Sequence, residues 1–218
     1  MHAPDGFVNA PTSIAAGVVA AAGIAVCLRK AREELDDRTA PLAGLVAVYV
    51  FAAQMLNFPV AGGTSGHLLG GTLAAVLVGP FTGALCVSVV LLVQAVLFAD
   101  GGLTALGLNI STMALATVLI GYPLARFLLR VRIPLAVSSG IAAGVSVVGA
   151  SLTFVLFYAL GGTTEVALGT VTAAMVGVHA LIGIGEGLIT ALTVGAIAAT
   201  RPDLIHLNRS LAPTPVEV

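Results

Sequence analysis

The sequence has few charged residues, no tryptophan and only two cysteines. Of its 218 residues, 9% are charged and 58% are hydrophobic, whereas a soluble domain carries roughly 25% charged residues. Nine lysines and arginines stand against ten acidic residues, so the chain lacks the basic surface that binds nucleic acid. Cys27 and Cys86 lie in apolar runs without metal-ligand spacing, which indicates packing residues and excludes a disulfide scaffold.

The chain contains long runs of apolar residues, and its mean hydropathy is +1.09. A membrane-spanning helix needs roughly 20 apolar residues. The runs predict seven helices, at about 11–28, 40–58, 67–79, 81–98, 109–126, 134–160 and 167–199. The third is short, and Pro80 separates it from the fourth. We therefore predict an all-α integral membrane protein, with one transmembrane domain over 1–200 and a short polar cytoplasmic tail over 201–218.

The basic residues form three clusters that seven crossings would place on one face of the membrane. The clusters are Arg29 to Arg38, Arg126 to Arg132, and Arg201 with Arg209. The positive-inside rule makes that face the cytoplasm, so the N-terminus is expected outside and the C-terminus inside. No basic residue precedes Arg29. A cleaved signal peptide is therefore not predicted, and the mature chain is expected to begin at Met1.

The first two residues carry a compact set of nitrogen donors. The α-amine of Met1, the backbone nitrogen of His2 and the Nδ1 atom of its imidazole can bind one ion through five- and six-membered chelate rings. A fourth nitrogen would complete a square plane, which Ni(II) and Cu(II) prefer and Co(II) can adopt. The alternative is that His2 is an exposed terminal residue. Pro4, Asp5 and Gly6 favour a turn that could fold the terminus back into the bundle.

A glycine-rich connection over 57–71 offers the fourth nitrogen. Within it, His67 is predicted to begin the third helix on the outer side of the membrane, the side of His2. Alternatively, His67 is a histidine at a helix start whose nitrogens bind backbone or water. A second glycine-rich loop, 100–109, follows Gln94 and either covers an outward-facing cavity or is a flexible connection.

Two ionisable residues share the seventh apolar segment. His179 and Glu186 are seven residues apart, which is two helical turns and places both on one helix face. Ionisable groups inside a membrane span are costly and indicate function. The two residues form either a gating or proton-linked pair or a structural pair joined by a hydrogen bond.

Several spaced motifs occur in one order along nearly the whole chain. They are Met1–Gly6, Gln54–Pro59, Gly62–Gly71, Gln94–Ala95, Asp100–Gly102, Gly107–Asn109, His179 and Ile184–Gly187. In these motifs the sequence resembles the CbiM/NikM family, the substrate-capture (S) components of energy-coupling-factor (ECF) importers for cobalt and nickel. The resemblance implies a six-helix S-component fold preceded by one additional helix, in the cell membrane of a prokaryote.

The resemblance also implies a set of metal ligands. In the family the ion is held by the Met1 amine, the His2 backbone nitrogen and imidazole, and the histidine that corresponds to His67. Three polar residues of the same motifs would support that histidine and the terminal segment: Asn57, Thr64 and Ser65. The transported substrate would be Ni(II) or Co(II), and the sequence leaves the choice between them open because both accept nitrogen ligands.

The partners follow from the resemblance and from one missing motif. No GxxxxGK[ST] sequence occurs, so ATP hydrolysis is expected on other chains. The resemblance implies two ATP-binding subunits, a transmembrane coupling subunit and, in many cases, a small accessory membrane subunit.

Two other functions fit parts of the sequence. Gly63–Gly66 matches a GxSG pattern, so an intramembrane serine protease would use Ser65 as nucleophile and His179 as base. A stand-alone metal permease would need no ATPase partners. The signature of that class, a His and an Asp-His pair on one helix, is absent from this sequence.

Overall fold

The structure, a computed structural model, describes residues 1–37, 39–56, 58–59 and 65–210, and this part of the chain is mostly helical. The helices are α1 (Ala10–Lys30), α2 (Thr39–Gln54), α3 (Gly71–Val78), α4 (Pro80–Leu97), α5 (Leu106–Asn109), α6 (Thr117–Arg130), α7 (Leu135–Gly161), α8 (Leu168–Thr200) and α9 (His206–Arg209). A π-helical stretch, Ile110–Ala116, joins α5 to α6. Short 3-10 turns, Ala31–Glu33 and Pro202–Leu204, follow α1 and α8.

Five helical segments are long and apolar enough to cross a membrane. They are Ala10–Glu33, Pro80–Leu97, Leu106–Arg130, Leu135–Gly161 and Leu168–Thr200. Helix α2 has 16 residues and α3 has 8, so these two are shorter than a full crossing. Each predicted apolar segment overlaps a helix, but only five of them have a helix of spanning length among the described residues, so the predicted seven crossings are not confirmed. The chain is a helical, multi-pass membrane protein.

The predicted end of the second helix is wrong. Helix α2 ends at Gln54 instead of continuing to residue 58. Beyond it, Phe58–Pro59 (β1) pairs antiparallel with Ser65–Gly66 (β2), so the fold is not purely helical. Proline and glycine at this pair weaken a helix strongly and leave the chain in a short hairpin.

The predicted start of the third helix is also wrong. Helix α3 begins at Gly71, and His67 lies before it in irregular backbone. Gly70 has φ +76°, a left-handed conformation that glycine adopts without steric cost and that separates the His67 segment from the helix. His67 therefore stands on a loop, at the buried inner end of the β2 hairpin strand, rather than on a helix.

Helices α7 and α8 pack backbone to backbone through two pairs of glycines. A Cβ added to Gly140 would lie 2.6 Å from the carbonyl oxygen of Gly187, and one added to Gly183 would lie 2.8 Å from that of Gly144. Small residues at such spacing allow membrane helices to approach closely. The antiparallel pairing fixes the position of α8 within the bundle.

Residues 1–9, the N-terminal segment, fold back into the bundle. The N–H of Asn9 donates to the carbonyl of Gly161 over 2.7 Å, and the carbonyl of Phe7 accepts from the N–H of Thr163 over 3.1 Å. The segment is thus attached at the end of α7, and its first residue is fully buried.

The C-terminal part packs against the opposite end of the bundle. Arg209 Nη1 lies 3.4 Å from the Asp36 carboxylate, and its Nη2 donates to Thr39 Oγ1 over 3.1 Å. Ile205 and Leu207 are fully buried, so residues 201–210 are part of the packed structure although a polar tail was predicted there. The chain segments that follow α1 and α8 therefore meet at one end.

Candidate metal centre

The start of the chain is held by hydrogen bonds to the 98–109 region. Asn109 binds both polar groups of Ala3: its Oδ1 accepts the Ala3 N–H over 2.8 Å, and its Nδ2 donates to the Ala3 carbonyl over 3.2 Å. The N–H of Gly102 donates to the same carbonyl over 2.9 Å. These contacts fix the backbone immediately after His2.

A second attachment lies nearer the surface. One carboxylate oxygen of Asp5 accepts both the N–H and the hydroxyl of Thr104, each over 2.7 Å. These two hydrogen bonds lower the pKa of Asp5 below its ordinary value because they favour the ionised carboxylate. The predicted turn at Asp5 thus has a specific partner, which the sequence could not identify.

His2 is 4% exposed and its ring lies between two polar side chains. Its Nε2 is 3.1 Å from the Oε1 atom of Gln94. Because that oxygen only accepts, Nε2 carries a proton. Nδ1 lies 3.1 Å from an Asp100 carboxylate oxygen but has no hydrogen bond within the described part of the chain.

The α-amine of Met1 is enclosed beside these groups. Burial lowers its pKa from 8.0 to about 4, and the nearby Asp100 carboxylate opposes that shift only in part. The amine is therefore neutral at pH 7 and offers a lone pair. A neutral amine is the form that binds a metal ion.

His67 reaches the same place from the β2 hairpin. Its ring is stacked on that of His2, with centroids 4.6 Å apart and 25° between the planes. Nδ1 of His67 donates to the Leu68 carbonyl over 2.6 Å, which leaves a lone pair on Nε2. That atom is buried and has no hydrogen-bond partner among the described residues. Burial, and then the charge that the Met1 amine carries when protonated, hold the pKa of His67 well below 6.5.

Helix α8 holds the backbone that follows His67. One oxygen of the Glu186 carboxylate accepts the N–H of Leu69 over 2.6 Å, and the other accepts the N–H of Gly70 over 2.8 Å. Gln54 at the end of α2 donates to the Leu69 carbonyl over 2.7 Å. Side chains from two helices, α2 and α8, therefore fix this loop.

The structure brings the three predicted ligand residues, Met1, His2 and His67, into one buried place. It does not join His179 to Glu186 by a hydrogen bond: His179 Nδ1 donates to the Met175 carbonyl over 2.7 Å, and Glu186 binds the loop. Of the predicted supporting residues, Asn57 and Thr64 lie outside the described residues, and Ser65 is placed by its backbone in β2.

Several contacts at the site were not predicted. The roles of Gln54, Asn109 and Glu186 as hydrogen-bond partners of backbone groups carry no sequence spacing of their own. Their only signal in the sequence is that they are polar side chains inside apolar runs. Burying such a side chain is costly unless it has a hydrogen-bond partner. Among the described residues no cluster of three His, Cys, Asp or Glu side chains could hold a metal ion, so a complete ligand set here requires backbone nitrogens.

The comparisons with known proteins agree with one another. Residues 2–204 match the family described as CbiM, the cobalt uptake substrate-specific transmembrane region. The chain belongs to the CbiM family. A protein of Haloquadratum walsbyi named for metal transport is 41% identical over 219 residues, which is 98% of each chain. A protein of Archaeoglobus fulgidus named for fused nickel transport (NikMN) is 42% identical over 94% of this chain and 68% of its own.

A solved structure supports the fold of this CbiM-family chain. The crystal structure of a transition metal transporter superimposes with a TM-score of 0.87 at 28% identity, over 91% of this chain and 93% of the other. The overall fold is thus shared with a metal transporter.

Proposed function

We propose that this chain is the substrate-binding component of an ATP-driven ECF importer for nickel or cobalt. The ion would be held by the Met1 α-amine, the backbone nitrogen and Nδ1 of His2, and Nε2 of His67. The observation that carries the proposal is the buried meeting of two stacked imidazoles, each with a nitrogen that lacks a hydrogen bond within the described residues, beside a neutral amine.

The chemistry of these groups suits a late first-row divalent ion. Four nitrogens from three residues favour Ni(II) and Co(II) over Mg²⁺ and Ca²⁺, which prefer oxygen ligands. The amine and His67 are already neutral, so binding need not displace protons from them at pH 7. Deprotonation of the His2 amide would leave a complex of single positive charge. The Asp100 carboxylate beside Nδ1 can balance that charge.

The surrounding contacts prepare the donors before the ion arrives. Asn109 holds the peptide after His2, and Glu186 holds the loop after His67. Asn57, Thr64 and Ser65 are proposed to support the same loop. Preorganised ligands bind more tightly because less conformational entropy is lost on binding.

Transport requires partners, since no ATP-binding motif occurs in this chain. We expect a transmembrane coupling subunit, two ATP-binding subunits and a small accessory membrane subunit. The N-terminal segment would face the outside, where the ion enters and loses its water to the nitrogens. ATP-driven movement of the whole complex would then open the site to the cytoplasm.

The test is the Ni(II) and Co(II) content and affinity of the purified chain, with and without one extra residue before Met1. The native start should bind one ion per chain. The extended chain and the His67→Asn variant should bind more than about 100-fold more weakly, because loss of a direct ligand costs more than loss of a residue that only supports one. His206→Asn in α9, far along the chain from the site, is the matched control and should bind normally.

Equal occupancy of the native and the extended chain would refute the ligand assignment. The other two functions are not proposed. The family match over residues 2–204 is to a substrate-specific uptake region and not to a protease, and the permease would be supported only by metal uptake into vesicles that contain this chain alone.

A further inference from the structure

A groove separates α1 from α6 on the surface of the bundle. Helix α1 packs against α4, α5 and the π-helical stretch, but in the described part of the chain it scarcely touches α6. The gap has a volume of about 740 Å³, and small residues such as Ala22 and Ala84 line it. Val26 and Leu119, which also line it, are exposed. The groove is therefore open towards the membrane.

The lining of the groove suits a hydrocarbon chain. The hydroxyls of its Ser111 and Thr153 donate to backbone carbonyls of neighbouring turns, so they offer no free donor. A Cβ added to Gly23 of α1 would lie 2.4 Å from the Cδ1 atom of Leu115, so the two walls meet at this point. A helix, about 10 Å across, has no room between them there, whereas an acyl chain is much thinner.

Both walls of the groove end in basic residues. Arg29 is in the last turn of α1, three residues after Val26, and Arg126 lies four residues after Tyr122 on α6. Residues three and four apart share a helix face, and Val26 and Tyr122 line the groove. The charge of Arg126 acts on the Tyr122 hydroxyl. One guanidinium therefore stands beyond the lining residues on each wall.

These two guanidinium groups lack an anion within the described ranges. Neither Arg29 nor Arg126 forms a salt bridge there, and the Nε atom of Arg126 is buried without a hydrogen-bond partner. The acidic residue beside this end of the groove is Glu34. Its two carboxylate oxygens accept the N–H groups of Phe81 and Thr82, so it is engaged at the start of α4.

We propose that the groove binds one anionic phospholipid, with an acyl chain between α1 and α6 and the phosphate between Arg29 and Arg126. Guanidinium groups bind phosphate through paired hydrogen bonds, and basic pockets between membrane helices on the cytoplasmic side bind anionic headgroups. The lipid would fill the gap along α1 and so hold that helix on the bundle. The site lies at the opposite end of α1 from the N-terminal segment, and the proposal does not depend on the proposed function.

The experiment is native mass spectrometry of the full chain, freed of lipid in a non-ionic detergent. Separate titrations use dioleoyl phosphatidylglycerol, dioleoyl phosphatidylcholine and glycerol 3-phosphate. The wild-type chain should bind one phosphatidylglycerol at least about fivefold more tightly than phosphatidylcholine, because each basic residue near an anionic headgroup contributes about that factor. Glycerol 3-phosphate should not bind, since it has no acyl chain to enter the groove.

Variants separate the headgroup contact from the groove. Arg29→Gln combined with Arg126→Gln should abolish the preference for phosphatidylglycerol. Arg201→Gln is the control, since it removes a charge from the chain after α8, a helix that does not line the groove. Ala22→Phe fills the groove and should weaken the binding of both phospholipids. Ala21→Phe adds the same ring at the neighbouring exposed position of α1, which does not line the groove, and should leave both unchanged.

Equal affinity of the wild-type chain for the two phospholipids would overturn the anionic site, and this result needs no variant. An unchanged preference in the double arginine variant would also overturn it. Binding of glycerol 3-phosphate as tight as that of phosphatidylglycerol would show a phosphate site instead of a lipid site. If neither lipid binds and Ala22→Phe releases a partner subunit from the assembled complex, the groove holds a partner helix and the proposal is wrong.

Discussion

The buried α-amine of Met1 is costly to protonate. Its pKa falls from 8.0 to about 4 on burial, with Asp100, His67 and His179 as the titratable groups around it. Charging the amine inside the bundle is unfavourable because burial removes its hydration, and the Asp100 carboxylate offsets this only in part. The N-terminal segment is therefore inserted only with the amine neutral.

This burial predicts a pH dependence of stability. The unfolded chain binds a proton at the amine below pH 8.0, whereas the folded chain does so only below about pH 4. Stability is therefore complete above pH 8 and falls as the pH decreases towards 4, at about 1.4 kcal/mol per pKa unit. The melting temperature of the metal-free protein should rise between pH 5 and 8.

N-terminal acetylation provides the control for this effect. An acetylated amine does not titrate, so the acetylated chain should lose this part of the pH dependence. If both chains show the same slope of melting temperature against pH, the amine is not buried in the neutral form.

At this scale the sequence predicted which residues would meet but not what holds them. His2 and His67 were expected on one side of the membrane, and the structure stacks their rings. The partners Asn109 and Glu186 bind backbone N–H and carbonyl groups. Every residue carries such groups, so no pattern in the sequence identifies the peptide that a buried side chain will bind.

The limits of the helices were predicted well where an apolar run is long. They were predicted poorly where the local backbone conformation determines where a helix begins or ends. Helix α1, at Ala10–Lys30, lies within two residues of its predicted limits. The ends of α2 and α3 were misplaced because the hairpin between them depends on a left-handed Gly70 and on hydrogen bonds from a helix more than 100 residues away. The distribution of apolar residues along the chain predicts neither the conformation of Gly70 nor these hydrogen bonds.

The contact between α8 and the His67 loop gives a prediction at the scale of elements. Glu186→Gln replaces one carboxylate oxygen by an NH₂ group, which cannot accept from Leu69 or Gly70. One backbone N–H is then unpaired, which costs about 1–3 kcal/mol, and the loop loses its fixed position. We expect metal affinity to fall about 10- to 100-fold, as measured by titration calorimetry.

Thr190→Val, one turn further along α8, serves as the control for this variant. It removes a buried hydroxyl of the same helix that has no hydrogen-bond partner among the described residues, so its metal affinity should match the wild type. A normal affinity in Glu186→Gln would mean that the loop keeps His67 in place without α8.

The glycine contacts between α7 and α8 give a second prediction for the elements. In Gly187→Ala the new Cβ would lie 2.8 Å from the Gly140 carbonyl oxygen, and the helices must separate. Overpacking of this kind costs typically about 1–3 kcal/mol, which a lowered melting temperature in detergent should report. A methyl group added at Gly185 would have nothing within 4 Å, so Gly185→Ala should be neutral or stabilising by up to about 1 kcal/mol. Equal effects of the two substitutions would contradict the close contact.

The arrangement of charge across the whole molecule predicts its orientation. The contact of Arg209 with Asp36 joins the chain after α8 to the chain after α1, at the end where the basic residues lie. The N-terminal segment and the α7–α8 connection lie at the other end. The proposed topology places the first end in the cytoplasm and the second outside.

Single cysteines test this orientation in intact cells. Glu165→Cys, in the exposed α7–α8 connection, should react with a thiol reagent that does not cross membranes. Leu35→Cys, at a site 41% exposed after α1, should react only after the cells are permeabilised. The unmodified chain is the control, because Cys27 and Cys86 are buried. The reverse pattern would place the N-terminal segment in the cytoplasm.

The insertion of the N-terminal segment also dictates the order in which the protein can be completed during synthesis. The N-terminal segment pairs through Phe7 and Asn9 with Thr163 and Gly161, and the loop after His67 binds a carboxylate that is translated 117 positions after Leu69. The N-terminal segment of a nascent chain therefore lacks these partners until residues 161–163 have been translated. The last long helix to emerge carries the carboxylate that holds the loop of His67, and the His2 ring stacks on that histidine.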